Sequence, residues 1–349
     1  MRNTRHWFLI GLAVLGIAVG QSSSRCGSIL LAVEPETNTT RSFATVPGSG
    51  TIEFEAAADD QSLPEHFRLA PHRFEFEARP LRRSGRVRMH KVTFPSPVTT
   101  DVVENNTVHG EYFQPSGDGP FPACVVLHIL GGDFLLAETV ANHLAQQGIA
   151  ALFVKLPYYG ERRGKDSPRR MISRVPAESV SGMTQGVLDI RRATAWLATR
   201  PEVDRERLGI TGISLGGIMS ALAAEGEPRL RNVGIVLGGG GLAEILWEND
   251  LPEAREFREQ WLANGGTRES FCATLAPVDP ATHAHLLKGR RVLMIAAKND
   301  EVIFPKSAIT LWEAIGKEPE LVWLDAGHYT AIRYLPRELV RLDQFFNGN

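Results

Sequence analysis

After residue 85 the chain alternates short apolar runs of four to eight residues with longer stretches of helical spacing. This constrains the fold more than any other feature of its 349 residues. Apolar runs without polar alternation predict strands buried on both faces, which requires helices on both sides of a parallel sheet. Ala123 to Ile129, Ile149 to Leu156 and the shorter Leu208 to Ile213 are such runs; Val233 to Leu237, Arg291 to Ala296 and Leu321 to Leu324 continue the series. Arg86 to Phe94 and Val108 to Phe113 alternate apolar with polar residues and are expected as an antiparallel pair at the sheet edge. Leu135 to Gln147, closed by Gly148, and Gly186 to Thr199 read as crossover helices. Pro336 to Phe346 reads as a last helix, with Leu339, Leu342, Phe345 and Phe346 on one side. The expected fold class is α/β over residues 85–349, a mostly parallel sheet flanked by helices. Two stretches, 158–182 and 240–288, interrupt the alternation and are expected as lid-type insertions.

The N-terminal region reads differently. Arg2 and Arg5 precede an apolar run from Trp7 to Gly20, with small residues at Ala18 and Gly20, so residues 1–20 are expected to be a signal peptide and the protein to be exported, periplasmic or secreted. The run is shorter than the roughly 20 apolar residues needed to cross a bilayer, so no stable membrane span is expected after cleavage; an uncleaved N-terminus is the alternative anchor. Arg25 and Ser24 before Cys26 are unsuited to lipidation. Residues 21–84, rich in Ser, Thr, Glu, Pro and Gly at first, read as a linker or loosely packed arm. Asn38 and Asn105 each begin an Asn-x-Thr triplet that matters only in a glycosylating pathway. Three cysteines allow at most one bridge, and 38 basic against 40 acidic residues give no pull towards nucleic acid.

Thr211-Gly212-Ile213-Ser214-Leu215-Gly216-Gly217 contains GxSxG at a predicted strand-to-helix junction. The pattern alone is common in a chain with 33 glycines, and a serine helix cap explains it too. At a strand-to-helix turn, however, glycines permit the tight bend that projects a serine hydroxyl above the sheet, with helix amides pointing at it. A serine nucleophile also needs a base and a carboxylate to orient that base. Asp300 follows the strand ending near Ala296 and His328 follows the next strand; consecutive parallel strands deliver both to one sheet edge. Glu301 and Asp279 are the competing carboxylates, and ten histidines make a structural role the default for any one of them. Acyl transfer needs donors to the oxyanion. The Leu215 N–H, after the serine, and the Leu130 N–H, in His128-Ile129-Leu130-Gly131-Gly132, are the expected donors, with Gly131 the nearest competitor.

Gly-Ile-Ser-Leu-Gly, Lys-Asn-Asp-Glu-Val-Ile-Phe-Pro, Gly-His-Tyr and His-Ile-Leu-Gly-Gly together resemble the α/β-hydrolase superfamily in the order Ser, acid, His. Within it the chain most resembles dienelactone-hydrolase-like and acetyl-xylan-esterase-like esterases, over roughly residues 85 to 347. The resemblance implies an eight-stranded, mostly parallel sheet, an acyl-enzyme intermediate, no metal and no cofactor. Ile129 stands where the family often has glycine, which weakens the oxyanion-loop assignment. Leu156-Pro157-Tyr158-Tyr159-Gly160-Glu161-Arg162-Arg163 also resembles a segment after the fourth strand in some hydrolases of the superfamily, without naming a substrate.

Chemistry of other kinds finds less support. His283-Ala284-His285 is two ligands short of a zinc site, no HExxH or Ser-x-x-Lys occurs, and Gly238 to Gly241 falls too late for a dinucleotide fingerprint. Arg162, Arg163, Lys165, Arg169, Arg170 and Arg174 form either a solvated basic loop or a site for an anionic substrate. Trp247, Phe257, Trp261 and Phe271 either line an acyl pocket or pack a helical lid. The expected function is ester hydrolysis of a small-molecule or carbohydrate-linked ester, with peptidase or thioesterase action or a non-catalytic binding module as alternatives.

Overall fold

The computed structural model describes residues 42–56, 60–250 and 252–348. In chain order the elements are β1 (Ser49–Phe54), β2 (His72–Ser84), β3 (Val87–Pro95), β4 (Thr107–Pro115), β5 (Phe121–Leu127), α1 (Leu135–Gln146), β6 (Ala150–Val154), α2 (Pro176–Ala198), β7 (Val203–Ile213) and α3 (Leu215–Gly226). Then come β8 (Asn232–Val236), α4 (Leu242–Glu248), α5 (Pro252–Ala263), α6 (Arg268–Leu275), α7 (Pro280–His283), β9 (Arg291–Ala297), α8 (Pro305–Ile315), β10 (Glu320–Leu324) and α9 (Leu335–Asn347). The strands form one sheet in the order β1-β2-β3-β4-β6-β5-β7-β8-β9-β10. Pairings from β6 to β10 are parallel and those from β1 to β4 and on to β6 are antiparallel.

The continuous apolar runs have a direct cause. Along β5, Ala123, Val125 and Leu127 face one core while Cys124 and Val126 face the other; β6 and β9 divide in the same way. The strand period of two sends neighbours to opposite faces, and both faces are covered, so every position is apolar. α2, α3 and α8 cover the first face, α1 and α9 the second. On α1 the buried residues are Ala137, Val140, Ala141, Leu144 and Ala145, the i, i+3, i+4, i+7, i+8 stripe of a one-sided helix.

Two expectations need correction. The sheet has ten strands among the described residues, because β1 and β2 extend an eight-strand segment running from β3 to β10. Consequently β1 and β2 are no loose arm: Ile52, Phe54, Phe74, Phe76 and Ala78 enter the core shared with α2. Their alternation with Arg73, Glu75 and Glu77 is a half-buried strand pattern, masked by the polar residues upstream. Asn105 is fully buried, donating to Gln185 at 2.8 Å and accepting the Tyr158 N–H at 2.9 Å, so its triplet is inaccessible to glycosylation in the folded chain. Residues 1–20, Cys26 and Asn38 lie outside the described residues; Cys124 and Cys272 are free. No helix among the described residues is long and apolar enough to cross a membrane.

Candidate active site

Ser214 occupies the turn between β7 and α3 with φ 57° and ψ −116°, a conformation that costs a non-glycine residue about 1–3 kcal/mol and persists only where its surroundings enforce it. They do so here: the Ser214 N–H donates to Val236 O on β8 at 2.9 Å, and its carbonyl accepts the Ile218 N–H at 3.0 Å. Gly216 is required by close approach, since a Cβ there would lie 2.8 Å from Leu127 O and 2.9 Å from His128 O. The first turn of α3 therefore sits directly against the end of β5.

Asp300 and His328 are brought together by the β9–β10 register. Leu324 pairs with Ala297, and the ladder continues past the strands through Lys298 N–H to Leu324 O and Asn299 N–H to Ala326 O, both 2.9 Å. Beyond that point the Asp300 carboxylate lies 2.8 Å from His328 Nδ1, and His328 Nε2 lies 3.0 Å from Ser214 Oγ. Asp300 is anchored by the Val302 and Ile303 N–H groups at 2.9 and 2.8 Å. With Nδ1 donating to a carboxylate, Nε2 is free to accept the serine proton. Serine and histidine are 114 residues apart in sequence, yet they share one hydrogen bond.

The competing carboxylates have other tasks. Glu301 accepts the His328 backbone N–H at 3.0 Å, and its Oε2 fills the place where a Cβ at Gly327 would lie 2.6 Å away; this is why glycine precedes the histidine. Asp279 accepts Gly241 and Leu242 N–H groups at 3.0 and 2.7 Å and caps α7. It thereby takes the amides a dinucleotide phosphate would need after the Gly238–Gly241 run. His283 packs against His66 with ring centroids 5.9 Å apart, and no group able to hold a metal ion occurs among the described residues.

Of the expected oxyanion donors, Leu215 begins α3 immediately after the serine. Leu130 lies in the turn after β5 with its side chain exposed, and Gly131 follows with φ 95°. His128 is buried; its Nδ1 lies 2.8 Å from Ile129 O and its Nε2 accepts the Leu156 N–H at 3.1 Å. Burial pushes its pKa down to about 4, so the ring is neutral. The Tyr159 ring stands edge-on to His128, with centroids 4.6 Å apart. Burial pushes the Tyr159 phenol up to about 12, opposed by the nearby Gly131 backbone. The roles of His128 and Tyr159 were not read from sequence, although both motifs carrying them stood out.

Part of the basic loop is taken up by contacts within the protein, while Arg163 and Lys165 stand exposed. Arg162 is fully buried, bonded to Asp189 at 2.6 Å, Asn105 O at 2.9 Å and Lys155 O at 3.0 Å. Arg169 pairs with Glu178, and Arg174 with Glu256 at 2.9 Å. In the second insertion, Trp247, Phe257 and Trp261 pack around Phe271 with centroids 5.5, 5.2 and 5.7 Å away. The aromatics thus hold α4, α5 and α6 to one another.

Two family models match: Alpha/beta hydrolase domain containing 18 over residues 92–237, and Prolyl oligopeptidase family over residues 183–346. An uncharacterized protein of Mycobacterium tuberculosis is 29% identical over 188 residues, 52% of this chain and 42% of the relative, so the chain spans about two fifths of that protein's length. Esterase YjfP of Escherichia coli is 22% identical over 203 residues, 57% of this chain and 77% of the relative. Among solved structures, an acetyl xylan esterase from Paenibacillus sp. R4 superposes with a TM-score of 0.63 at 19% identity, covering 83% of this chain and 91% of that one. The β3-to-β10 strand order, the serine turn after β7 and two family models that jointly run from residue 92 to 346 agree: this chain belongs to the α/β-hydrolase superfamily.

Proposed function

We propose that the protein is an exported serine hydrolase that cleaves a carboxylic ester of a small-molecule or carbohydrate-linked substrate. The observation that carries this reading is the continuous hydrogen-bond path from Ser214 Oγ to His328 Nε2 and from Nδ1 to Asp300. Ser214 Oγ attacks the ester carbonyl as its proton passes to His328 Nε2, and Asp300 holds the imidazolium that forms. The carbonyl oxygen becomes an oxyanion facing the Leu215 and Leu130 N–H groups. Collapse breaks the C–O bond, and the leaving alcohol takes the proton from His328. Water, deprotonated by the same histidine, then attacks the acyl-serine, releasing the acid and restoring Ser214.

A fluorophosphonate probe should label Ser214, and Ser214→Ala should abolish both labelling and p-nitrophenyl acetate turnover; turnover that persists in the folded variant rejects the assignment. The names of the Escherichia coli and Paenibacillus proteins favour esters. The match to the prolyl oligopeptidase model favours amide cleavage as the second reading. Comparing kcat/KM on matched ester, thioester and amide substrates separates them. Export rests on Arg2, Arg5 and the apolar run to Gly20; N-terminal sequencing of secreted protein should begin near Gln21.

A further inference from the structure

Resting on the acyl-transfer reading above, the geometry points to His128, buttressed by the Tyr159 ring, as the positioning residue that fixes the Ile129–Leu130 peptide and makes the Leu130 N–H the upstream oxyanion donor. The tautomer of His128 follows from its partners. Leu156 N–H donates to Nε2 at 3.1 Å, so Nε2 carries no proton; Nδ1 carries it and donates to Ile129 O at 2.8 Å. The Ile129 carbonyl therefore points at the imidazole. The peptide that follows is trans, as the Gly119–Pro120 bond is the cis one among the described residues, so the Leu130 N–H points the opposite way.

Strand order says where that is. β5 lies between β6 and β7. The His128 ring is tied to Leu156, just beyond β6, and packs against Phe134 and Tyr159 at 5.0 and 4.6 Å; Ser214 is on the other flank, after β7. An N–H directed away from the ring is directed towards the nucleophile. The Tyr159 ring also lies 3.1 Å from the position a Cβ would take on Gly132, and so packs against the turn that follows the peptide.

The segment carrying Tyr159 is held from several sides. Tyr158, at φ 65°, donates its N–H to Asn105 Oδ1 at 2.9 Å. Lys155 Nζ bridges to Glu161 at 2.8 Å, and Arg162 ties Lys155 O to the buried Asp189. This anchoring is what a template for the oxyanion loop requires, because a donor misplaced by about 1 Å costs roughly 100-fold in rate. It also accounts for Ile129 in place of the family's glycine: the His128 bond, not backbone freedom, sets this peptide.

The test uses the full chain. His128→Phe keeps the ring packing and removes both hydrogen bonds, so kcat on p-nitrophenyl acetate should fall about 100- to 1000-fold with KM within about twofold. His128→Asn keeps a side-chain N–H able to reach Ile129 O and should recover at least tenfold of that loss. Tyr159→Leu removes the ring edge that buttresses His128 and should lower kcat about tenfold. In all three the inhibition constant of a trifluoromethyl ketone, which forms an oxyanion on Ser214, should rise by the factor by which kcat/KM falls. Folded variants with unaltered kcat, losses confined to KM, or an asparagine variant no better than phenylalanine overturn the assignment. So does a 15N spectrum with the His128 proton on Nε2, whether or not the protein turns over ester. Failure of the wild type to react with fluorophosphonate refutes the hydrolase reading instead, which keeps the two claims distinguishable.

Discussion

Replacing Arg162 by methionine should be among the most destabilising single changes at a position remote from the triad. The guanidinium is fully buried, donates to Lys155 O and Asn105 O, and pairs with Asp189, itself buried and also bonded to Ser96 Oγ at 2.6 Å. Methionine fills much of the same volume but leaves a buried carboxylate and two carbonyls without their donor. Breaking one side of such a pair costs about 3–5 kcal/mol, a large part of the roughly 5–15 kcal/mol that holds a domain folded. At about 2–4 °C per kcal/mol, the melting temperature should drop by about 6–20 °C. Burial already pushes the Asp189 carboxyl above its usual range against the pull of Arg162, so losing the arginine drives it higher still. An acid whose folded pKa is raised binds its proton more tightly when folded, so its contribution to stability is lost as pH rises. The variant's deficit should therefore be larger at pH 8 than at pH 5. Urea titrations at both pH values measure this, with the slope m confirming an unchanged unfolding transition. The double change Arg162→Met with Asp189→Leu removes both charges and should regain more than half the loss. A single-variant loss under about 1 kcal/mol, or a double variant less stable than the single, would refute the view that this pair is an electrostatic unit.

Two other outcomes follow from the geometry. The His128 pKa falls from 6.5 to about 4 on folding, so the unfolded chain takes up the proton first as pH drops. This residue's contribution, fully present above pH 6.5, should decline by about 3 kcal/mol on the way to pH 4, and urea titrations of wild type and His128→Phe should converge towards the acid end. Gly216→Ala places a Cβ 2.8 Å from Leu127 O and should lower esterase kcat at least tenfold while costing about 1–3 kcal/mol of thermal stability; wild-type activity in that variant would contradict the tight elbow.

What the sequence determined by itself was whatever repeats along a strand or helix. Runs such as Val125 to Leu127 mark two-faced strands because each residue's burial follows from its neighbours two away, and the α1 stripe marks a one-faced helix for the analogous reason. The strand-to-helix serine and the post-strand positions of Asp300 and His328 were legible because parallel strands share a carboxyl edge. β1 and β2 were misread because half-exposed strands with charged outer residues resemble a polar arm until the α2 face is there to cover Phe74 and Phe76. Only the tertiary structure decided which carboxylate serves His328, that Arg162 is interior and not a substrate contact, and that the lid aromatics pack on Phe271. It also decided which way the Ile129–Leu130 peptide faces. Each of these depends on a direction in space between segments far apart in the chain, and residue order carries no direction until the sheet closes.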